Sequence, residues 1–216
     1  MYTNGYFLCL LSNFMVKSPY EDSKKEEWLN ITQKIIDEHP ISTDALVDVT
    51  LTSWNDIFQS EIGANKIQIG KDIFPTPQIM GFFLHELIPL NIKAKFPHEW
   101  TKDKEVSEKD LVYIPEPKQS IEIKTSSHKK NIFGNRSYAQ PSPNPKKDKS
   151  GFYLTVNFEK FSETKNPKIR LIRFGWLDHS DWIAQKAATG QQARLAPETY
   201  ELKLIEIYPE PKLSLL

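Results

Sequence analysis

Two acidic residues and a lysine lie close together near the middle of the chain, at a spacing that could support phosphodiester hydrolysis. Asp110 precedes the apolar run LVYI, and the run IEIK beyond a Pro-containing turn carries Glu122 and Lys124. Side chains alternate between the two faces of a strand, so Glu122 and Lys124 share one face. If the two runs pair as a hairpin, the carboxylate of Asp110 comes close to that of Glu122.

This arrangement predicts a site for a divalent cation, with Mg²⁺ as the expected ion. Two adjacent carboxylates repel each other unless a cation lies between them, and hard cations prefer oxygen ligands. Asp110 and Glu122 would bind Mg²⁺, which supplies a Lewis acid and a better nucleophile from water. Lys124 would donate to the scissile phosphate, or position or activate the attacking water. The alternative is an exposed strand face on which Glu122 and Lys124 form weak charge pairs.

A fourth candidate, Glu86, lies upstream in the apolar stretch GFFLHELIPL, which is predicted to be helical. An acidic side chain among apolar residues is costly unless it is paired or bound to a metal. Glu86 could therefore be an additional ligand or an orienting acid of the same catalytic site. It could equally be a surface residue on an amphipathic helix.

The elements that must position these residues change in character along the chain. Apolar residues at helical spacing, with start and stop signals, predict a helix up to His39, a second from Thr43 before Gly63, and a third from about Gln78 to Leu87, ended by Pro89. A short strand is predicted between them, over 65–70.

The second half of the chain is dominated by alternating patterns. Strands are predicted over LVYI, IEIK, GFYLTVNF, IRLIRF and ELKLIEI, with one late helix from Asp181 to about Ala188. Helices followed by a mostly meandering set of strands predict an α/β fold, with a mixed central β-sheet flanked by helices.

Composition limits the class of protein. The chain has 216 residues, with 28 basic and 28 acidic side chains and a single cysteine, Cys9. An intramolecular disulfide is therefore excluded, and a reducing, cytoplasmic setting is favoured. The apolar stretch GYFLCLLSNFMV is too short to span a bilayer and lacks the basic start of a signal peptide, so we expect no membrane association.

The zero net charge conceals a basic segment. Residues 118–149 contain eight lysines and arginines against two acidic residues, and the segment begins at the predicted hairpin. Most charge runs are solvated loop faces. Because this one coincides with the acid pair, it favours a polyanionic partner.

The hairpin residues and two longer strings carry a family resemblance. Asp110, eleven residues, then Glu122-Ile123-Lys124 resembles the catalytic signature of the PD-(D/E)XK nuclease superfamily, with Lys109 at the position of its often-substituted proline. The strings EIKTSSHKKNIFGNRSYAQP and RFGWLDHSDWIAQKAATGQQARL are similar to ScaI-type restriction endonucleases. The resemblance implies a type II restriction endonuclease, in which a homodimer cleaves double-stranded DNA at a specific, palindromic sequence with Mg²⁺.

The resemblance covers about Asp72 to the C-terminus, the chain is predicted to divide into two parts, and a site-specific nuclease also needs residues that read bases. Residues 65–216 would form the PD-(D/E)XK restriction-endonuclease-like core, and residues 1–64 a helical segment for dimerisation or for capping the core. Arginine, asparagine and glutamine can read base edges in the major groove. Predicted base readers are Asn135, Arg136, Ser137, Gln140, Thr189, Gln191, Gln192 and Arg194, and predicted phosphate contacts are Lys129, Lys130, Lys146 and Lys147.

Two other functions are compatible with this chemistry. One is a repair or mobile-element nuclease that recognises DNA structure or damage, and it predicts nicking or cleavage of branched DNA. The other is a non-catalytic DNA-binding module on the same fold, although a pure binder would not need all three hairpin residues. A cognate DNA methyltransferase is expected beside a restriction enzyme as a partner in the system, not as a physical partner.

Overall fold

The computed structural model describes residues 17–140, 149–187 and 189–209. The N-terminal stretch GYFLCLLSNFMV with its cysteine, and the predicted phosphate contacts Lys146 and Lys147, lie outside these ranges. Within them, no helix is both long enough and apolar enough to cross a membrane.

The described ranges begin with mostly helical elements and continue with a series of strands. The helices are α1 (Trp28–Asp37), α2 (Thr43–Gln59), α3 (Pro77–Lys95) and α4 (Pro197–Leu202). The strands are β1 (Glu61–Ile62), β2 (Ile67–Gln68), β3 (Trp100–Lys102), β4 (Leu111–Tyr113), β5 (Ile121–Ser126), β6 (Phe133–Asn135), β7 (Gly151–Phe158), β8 (Ile169–Leu177), β9 (Trp182–Ala184), β10 (Gln192–Leu195) and β11 (Leu204–Tyr208).

A mixed six-stranded sheet forms the centre, in the order β11-β8-β7-β5-β4-β3. Its central pair, β5 and β7, is parallel, and the other neighbours are antiparallel. The predicted hairpin exists, although β4 and β5 are in register only at Leu111 and Ile121. The prediction of a mixed sheet flanked by helices is confirmed.

The two faces of this sheet pack against different layers. Ile121 and Ile123 of β5 belong to a core cluster shared with α1, α2 and α3. The opposite face carries Tyr153 and Leu204, which pack in a second cluster with residues of β9 and β10. Since Glu122 and Lys124 alternate with the isoleucines, they point towards this second layer.

The second layer is a three-stranded sheet with the order β6-β10-β9, which we call the reader sheet. The sequence prediction of a helix from Asp181 to about Ala188 was wrong here: a 3-10 turn, His179–Asp181, leads directly into β9. Trp182 and Ile183 themselves favour strands, and pairing with β10 and burial of Trp182 make residues 182–184 a strand. Strands β6 and β10 and helix α4 were not predicted.

Helix α3 also differs from its prediction, because Pro89 does not end it. The helix continues to Lys95 with Pro89 inside. Leu84, Ile88 and Ile92 are fully buried on both sides of the proline. Burial of such side chains contributes roughly 2 kcal/mol each, enough to offset the hydrogen bond that proline removes.

Candidate active site

Strands β4 and β5 bring the three hairpin residues together. The Oδ2 atom of Asp110 accepts a hydrogen bond from the backbone N–H of Ile123 at 2.6 Å. The Nζ atom of Lys124 donates to Oε1 of Glu122 at 2.6 Å and to the carbonyl of Ile123 at 3.0 Å. The carboxylate of Asp110 is thereby held against the strand segment that carries Glu122 and Lys124.

Glu122 is a buried, charged carboxylate. Only 7% of the residue is exposed, and its Oε1 atom also accepts a hydrogen bond from the hydroxyl of Tyr138. Lys109 Nζ lies 4.0 Å from Oε2. Burial alone would raise the pKa of Glu122, but Lys124, Lys109 and the two hydrogen bonds outweigh it and hold this pKa well below its ordinary value.

Lys124 is the cationic partner of this carboxylate. Burial would lower the pKa of its ammonium, but the charge of Glu122 more than compensates, so the pKa lies above its ordinary value. The ammonium also lies 4.8 Å from the centre of the Tyr138 ring. As a cation, Lys124 offers hydrogen-bond donors and no acceptor.

The donor set at this position fits a hard divalent cation. Asp110 and Glu122 supply carboxylate oxygens, and Ile123 between them in space supplies a main-chain carbonyl. No group of three or more His, Cys, Asp or Glu side chains suited to a metal occurs in the described ranges. Mg²⁺ commonly takes one or two carboxylates and completes its shell with water and substrate phosphate, so two carboxylates suffice.

Helix α3 approaches the site through His85 rather than through its neighbour Glu86. The Nδ1 atom of His85 lies 3.6 Å from Oδ1 of Asp110. Glu86 instead forms an ion pair with Lys102 of β3, at 2.5 Å. A role for Glu86 at the catalytic site stays a prediction, and in the described state its carboxylate is engaged by Lys102.

The two predicted groups of base readers meet in the reader sheet. Asn135 on β6 is paired with Gln192 on β10, and the backbone N–H of Arg136 donates to the carbonyl of Gln191 at 2.7 Å. The side chains of Asn135, Ser137, Gln140, Thr189, Gln191, Gln192 and Arg194 are exposed. The two groups are about fifty residues apart in the sequence, and the pairing of β6 with β10 brings them together on one surface.

Arg136 differs from the other predicted readers, because its guanidinium is turned towards its own protein. Its Nη1 atom donates to the carbonyls of Ala187 and Gly190, each at 3.3 Å. These bonds tie the turn after β6 to the loop before β10. The predicted phosphate contacts Lys129 and Lys130 are exposed in the segment between β5 and β6.

Three residues that contact the hairpin group were not identified from sequence as functional. Lys109 had a signal, since it occupies a position of the motif next to Asp110. His85 was noted only as the neighbour of Glu86. Tyr138 had none, because the contact of its hydroxyl with Glu122 depends on how the 3-10 turn Arg136–Ala139 docks on the central sheet.

Comparison with known proteins agrees with this geometry. The model of the ScaI restriction endonuclease family matches residues 18–208. The type II restriction enzyme ScaI of Streptomyces caespitosus is 50% identical over 194 residues, which cover 88% of this chain and 85% of that enzyme. The resemblance drawn from the motifs is thus confirmed: the chain belongs to the ScaI restriction endonuclease family and is a type II restriction endonuclease that acts on double-stranded DNA.

Proposed function

We propose that this enzyme hydrolyses DNA phosphodiester bonds at a specific palindromic sequence with Mg²⁺ held by Asp110 and Glu122. Type II restriction enzymes generally use a divalent metal ion. When bound, Mg²⁺ supplies a Lewis acid at the phosphate and lowers the pKa of a bound water. The observation that supports the proposal is the convergence of Asp110, Glu122 and Lys124 beside the reader sheet.

Lys124 orients the reacting groups. Its ammonium is anchored at Glu122 and at the Ile123 carbonyl, so a small rotation would present a donor to a phosphate oxygen or to the attacking water. Lys109 adds a second positive charge on the other side of the carboxylate. These lysines favour the approach of the anionic DNA backbone.

Glu86 acts as an orienting acid through Lys102. The ion pair at 2.5 Å fixes Lys102 on β3, next to the strand whose start carries Asp110. Direct ligation of the metal by Glu86 would first require Lys102 to release it.

The reader sheet supplies specificity and the exposed lysines supply affinity. Asn135, Gln191, Gln192 and Arg194 have the donors and acceptors that read base edges, with Ser137, Gln140 and Thr189 beside them. Lys129, Lys130, Lys146 and Lys147 contact phosphates, which makes binding dependent on salt but not on sequence.

The assembled enzyme is a homodimer, because a twofold axis presents the same reader surface to both halves of a palindrome. Within the N-terminal segment, helices α1 and α2 cap the core, an assignment supported by Ile36 of α1 and Trp54 of α2, which pack in the same core as the central sheet. The enzyme works in the cytoplasm, alongside a methyltransferase that protects the same sequence in host DNA.

A digestion assay tests the catalytic assignment. Purified protein is incubated with long plasmid DNA in Mg²⁺ or in EDTA, and Lys124→Ala is the matched control. Discrete fragments that need both Mg²⁺ and Lys124 are expected, and run-off sequencing of their ends then identifies the site and the stagger. Cleavage by Lys124→Ala would remove that residue from the mechanism, whereas nicking confined to branched DNA would favour a repair or mobile-element nuclease.

A further inference from the structure

Tyr138 connects the reader sheet directly to the catalytic carboxylate. It lies on the 3-10 turn Arg136–Ala139, between the predicted readers Ser137 and Gln140. Its side chain runs inward, and its hydroxyl donates to Oε1 of Glu122. Only 7% of Tyr138 is exposed, so this contact is part of the interior and not a surface encounter.

The hydrogen bond occupies one of the two carboxylate oxygens through which Glu122 could bind a metal. Oε1 of Glu122 already accepts a hydrogen bond from Lys124 at 2.6 Å. A carboxylate oxygen has two lone-pair directions, and the two donors take both. Oε2 faces Lys109 Nζ at 4.0 Å. A divalent cation therefore reaches Oε1 only after Lys124 or Tyr138 has moved away.

Tyr138 packs against the reader sheet. Its ring packs on Trp182 of β9, with 5.1 Å between ring centres. A Cβ atom added at Gly134 of β6 would lie 3.1 Å from Trp182 Cζ3 and 3.2 Å from Tyr138 Cγ, so both rings lie against that backbone. Arg136, two residues earlier, is tied to the loop before β10. A shift of this sheet on DNA would carry the phenol with it.

Two lysines give the phenol a further link to DNA. The ammonium groups of Lys124 and Lys149 lie 4.8 Å and 4.7 Å from the centre of the Tyr138 ring. Both are in the basic segment, and each makes a cation–π contact with the ring. A DNA phosphate that attracts either ammonium removes one of the contacts that hold the ring in place.

We propose that Tyr138 is a positioning residue that makes metal binding at Glu122 depend on recognition of the correct DNA sequence. Without DNA, its hydroxyl holds Oε1 of Glu122 against Lys124 and away from a cation. When the reader sheet engages its target sequence, the 136–139 turn shifts and Oε1 becomes available. This inference rests on the proposed role of Glu122 as a metal ligand.

The proposal has a thermodynamic consequence, because coupling between two ligands is reciprocal. Target DNA should raise the affinity for the metal, and the metal should raise the affinity for target DNA by the same factor. DNA that differs by one base pair should produce a smaller effect. Removal of the phenolic hydroxyl should weaken this coupling without changing the reader side chains.

The experiment compares Tyr138→Phe with Tyr200→Phe. Tyr200→Phe is the control, because it also removes a tyrosine hydroxyl that forms a hydrogen bond: Tyr200 Oη accepts from the N–H of Ile132 at 2.8 Å. Among the described contacts, Tyr200 makes none with Glu122. Binding of Mn²⁺, which prefers the same oxygen ligands as Mg²⁺, is followed by electron paramagnetic resonance with and without target duplex. Cleavage of target and single-mismatch duplexes is measured in parallel.

In Tyr138→Phe without DNA, Mn²⁺ should bind about tenfold more tightly than in wild type, the effect of one hydrogen bond to a charged group. The ratio of target to mismatch cleavage should fall by a similar factor, and Tyr200→Phe should match wild type in both. Equal Mn²⁺ affinity and equal discrimination in Tyr138→Phe and wild type would overturn the proposal. An equal loss of cleavage on both duplexes, with unchanged Mn²⁺ affinity, would also overturn it.

Two further variants distinguish a failure of the role proposed for Tyr138 from a failure of the assignment of Glu122 as a metal ligand. In Glu122→Gln, Mn²⁺ binding should be lost; if it is not, the assignment of Glu122 as a ligand fails, and with it the proposed function of this site. Gly134→Ala keeps the hydroxyl but pushes against the Tyr138 ring, so it should also tighten Mn²⁺ binding without DNA. Unchanged binding in Gly134→Ala, together with unchanged binding in Tyr138→Phe, refutes the inference while leaving Glu122 as a ligand.

Discussion

Lowering the pH from 7 to 5 should destabilise this enzyme by about 2 kcal/mol through a single buried histidine, His39. Only 7% of the residue is exposed, and its ring lies 4.3 Å from Phe152 and 4.9 Å from Phe174, between ring centres. Nε2–H donates to the carbonyl of Gln119 at 3.0 Å, and the N–H of Ile41 donates to Nδ1 at 3.3 Å. Both nitrogens are thus satisfied in the neutral ring.

Burial determines the sign and the size of this effect. It lowers the pKa of His39 from 6.5 to about 4, against a smaller opposing influence of the two backbone carbonyls nearby. Between these values the unfolded chain binds a proton that the folded protein does not. The contribution of His39 to the free energy of unfolding is therefore fully present above pH 6.5 and is lost as the pH falls towards 4. One pKa unit corresponds to about 1.4 kcal/mol, so the loss reaches about 2 kcal/mol at pH 5.

Urea unfolding followed by tryptophan fluorescence at pH 7 and pH 5 measures the loss. His39→Gln is the matched variant, because glutamine keeps one donor and one acceptor but does not titrate. The decrease in the free energy of unfolding between the two pH values should be about 2 kcal/mol larger in wild type than in the variant. An equal decrease in both proteins would show that the folded state leaves the pKa of His39 near its ordinary value, and the reasoning from burial would be refuted.

Other perturbations have outcomes that follow from single contacts. Lys124→Ala should abolish cleavage and leave retention of DNA in a gel-shift assay unchanged; persistent cleavage contradicts its role. Gly175→Ala should lower the free energy of unfolding by roughly 3 kcal/mol, since the added Cβ would lie 2.0 Å from the carbonyl oxygen of Lys203; an unchanged thermal midpoint would exclude this clash. Arg136→Ala should release the 187–190 loop and speed its limited proteolysis, and equal proteolysis rates would mean that those bonds do not hold it. EDTA should stop cleavage and excess Mg²⁺ should restore it, and activity in EDTA would rule out a metal requirement.

Features of the hairpin could be predicted because they depend on local rules. The alternation of side chains along a strand puts Glu122 and Lys124 on one face whatever the rest of the chain does. A turn between two apolar runs brings Asp110 to the same place. The motif that these residues form, together with the two longer strings, was enough to identify the family. Helices α1 and α2 could also be predicted from their apolar periodicity, and Ser42 caps the start of α2, whereas α1 begins at Trp28 without a side-chain cap.

The tertiary structure decided how the distant segments meet. Pairing of β6 with β10 joins two groups of predicted readers far apart in sequence, and pairing of β9 with β10 makes a strand within a segment that was predicted to be helical. Burial on both sides carries α3 through Pro89. The same docking of the reader sheet brings Tyr138 to Glu122. Strand pairing and burial depend on partners remote in the chain, so no local pattern contains them. Local patterns therefore sufficed for the family and for the arrangement of Asp110, Glu122 and Lys124, whereas the residues that surround these three depend on how remote segments pack.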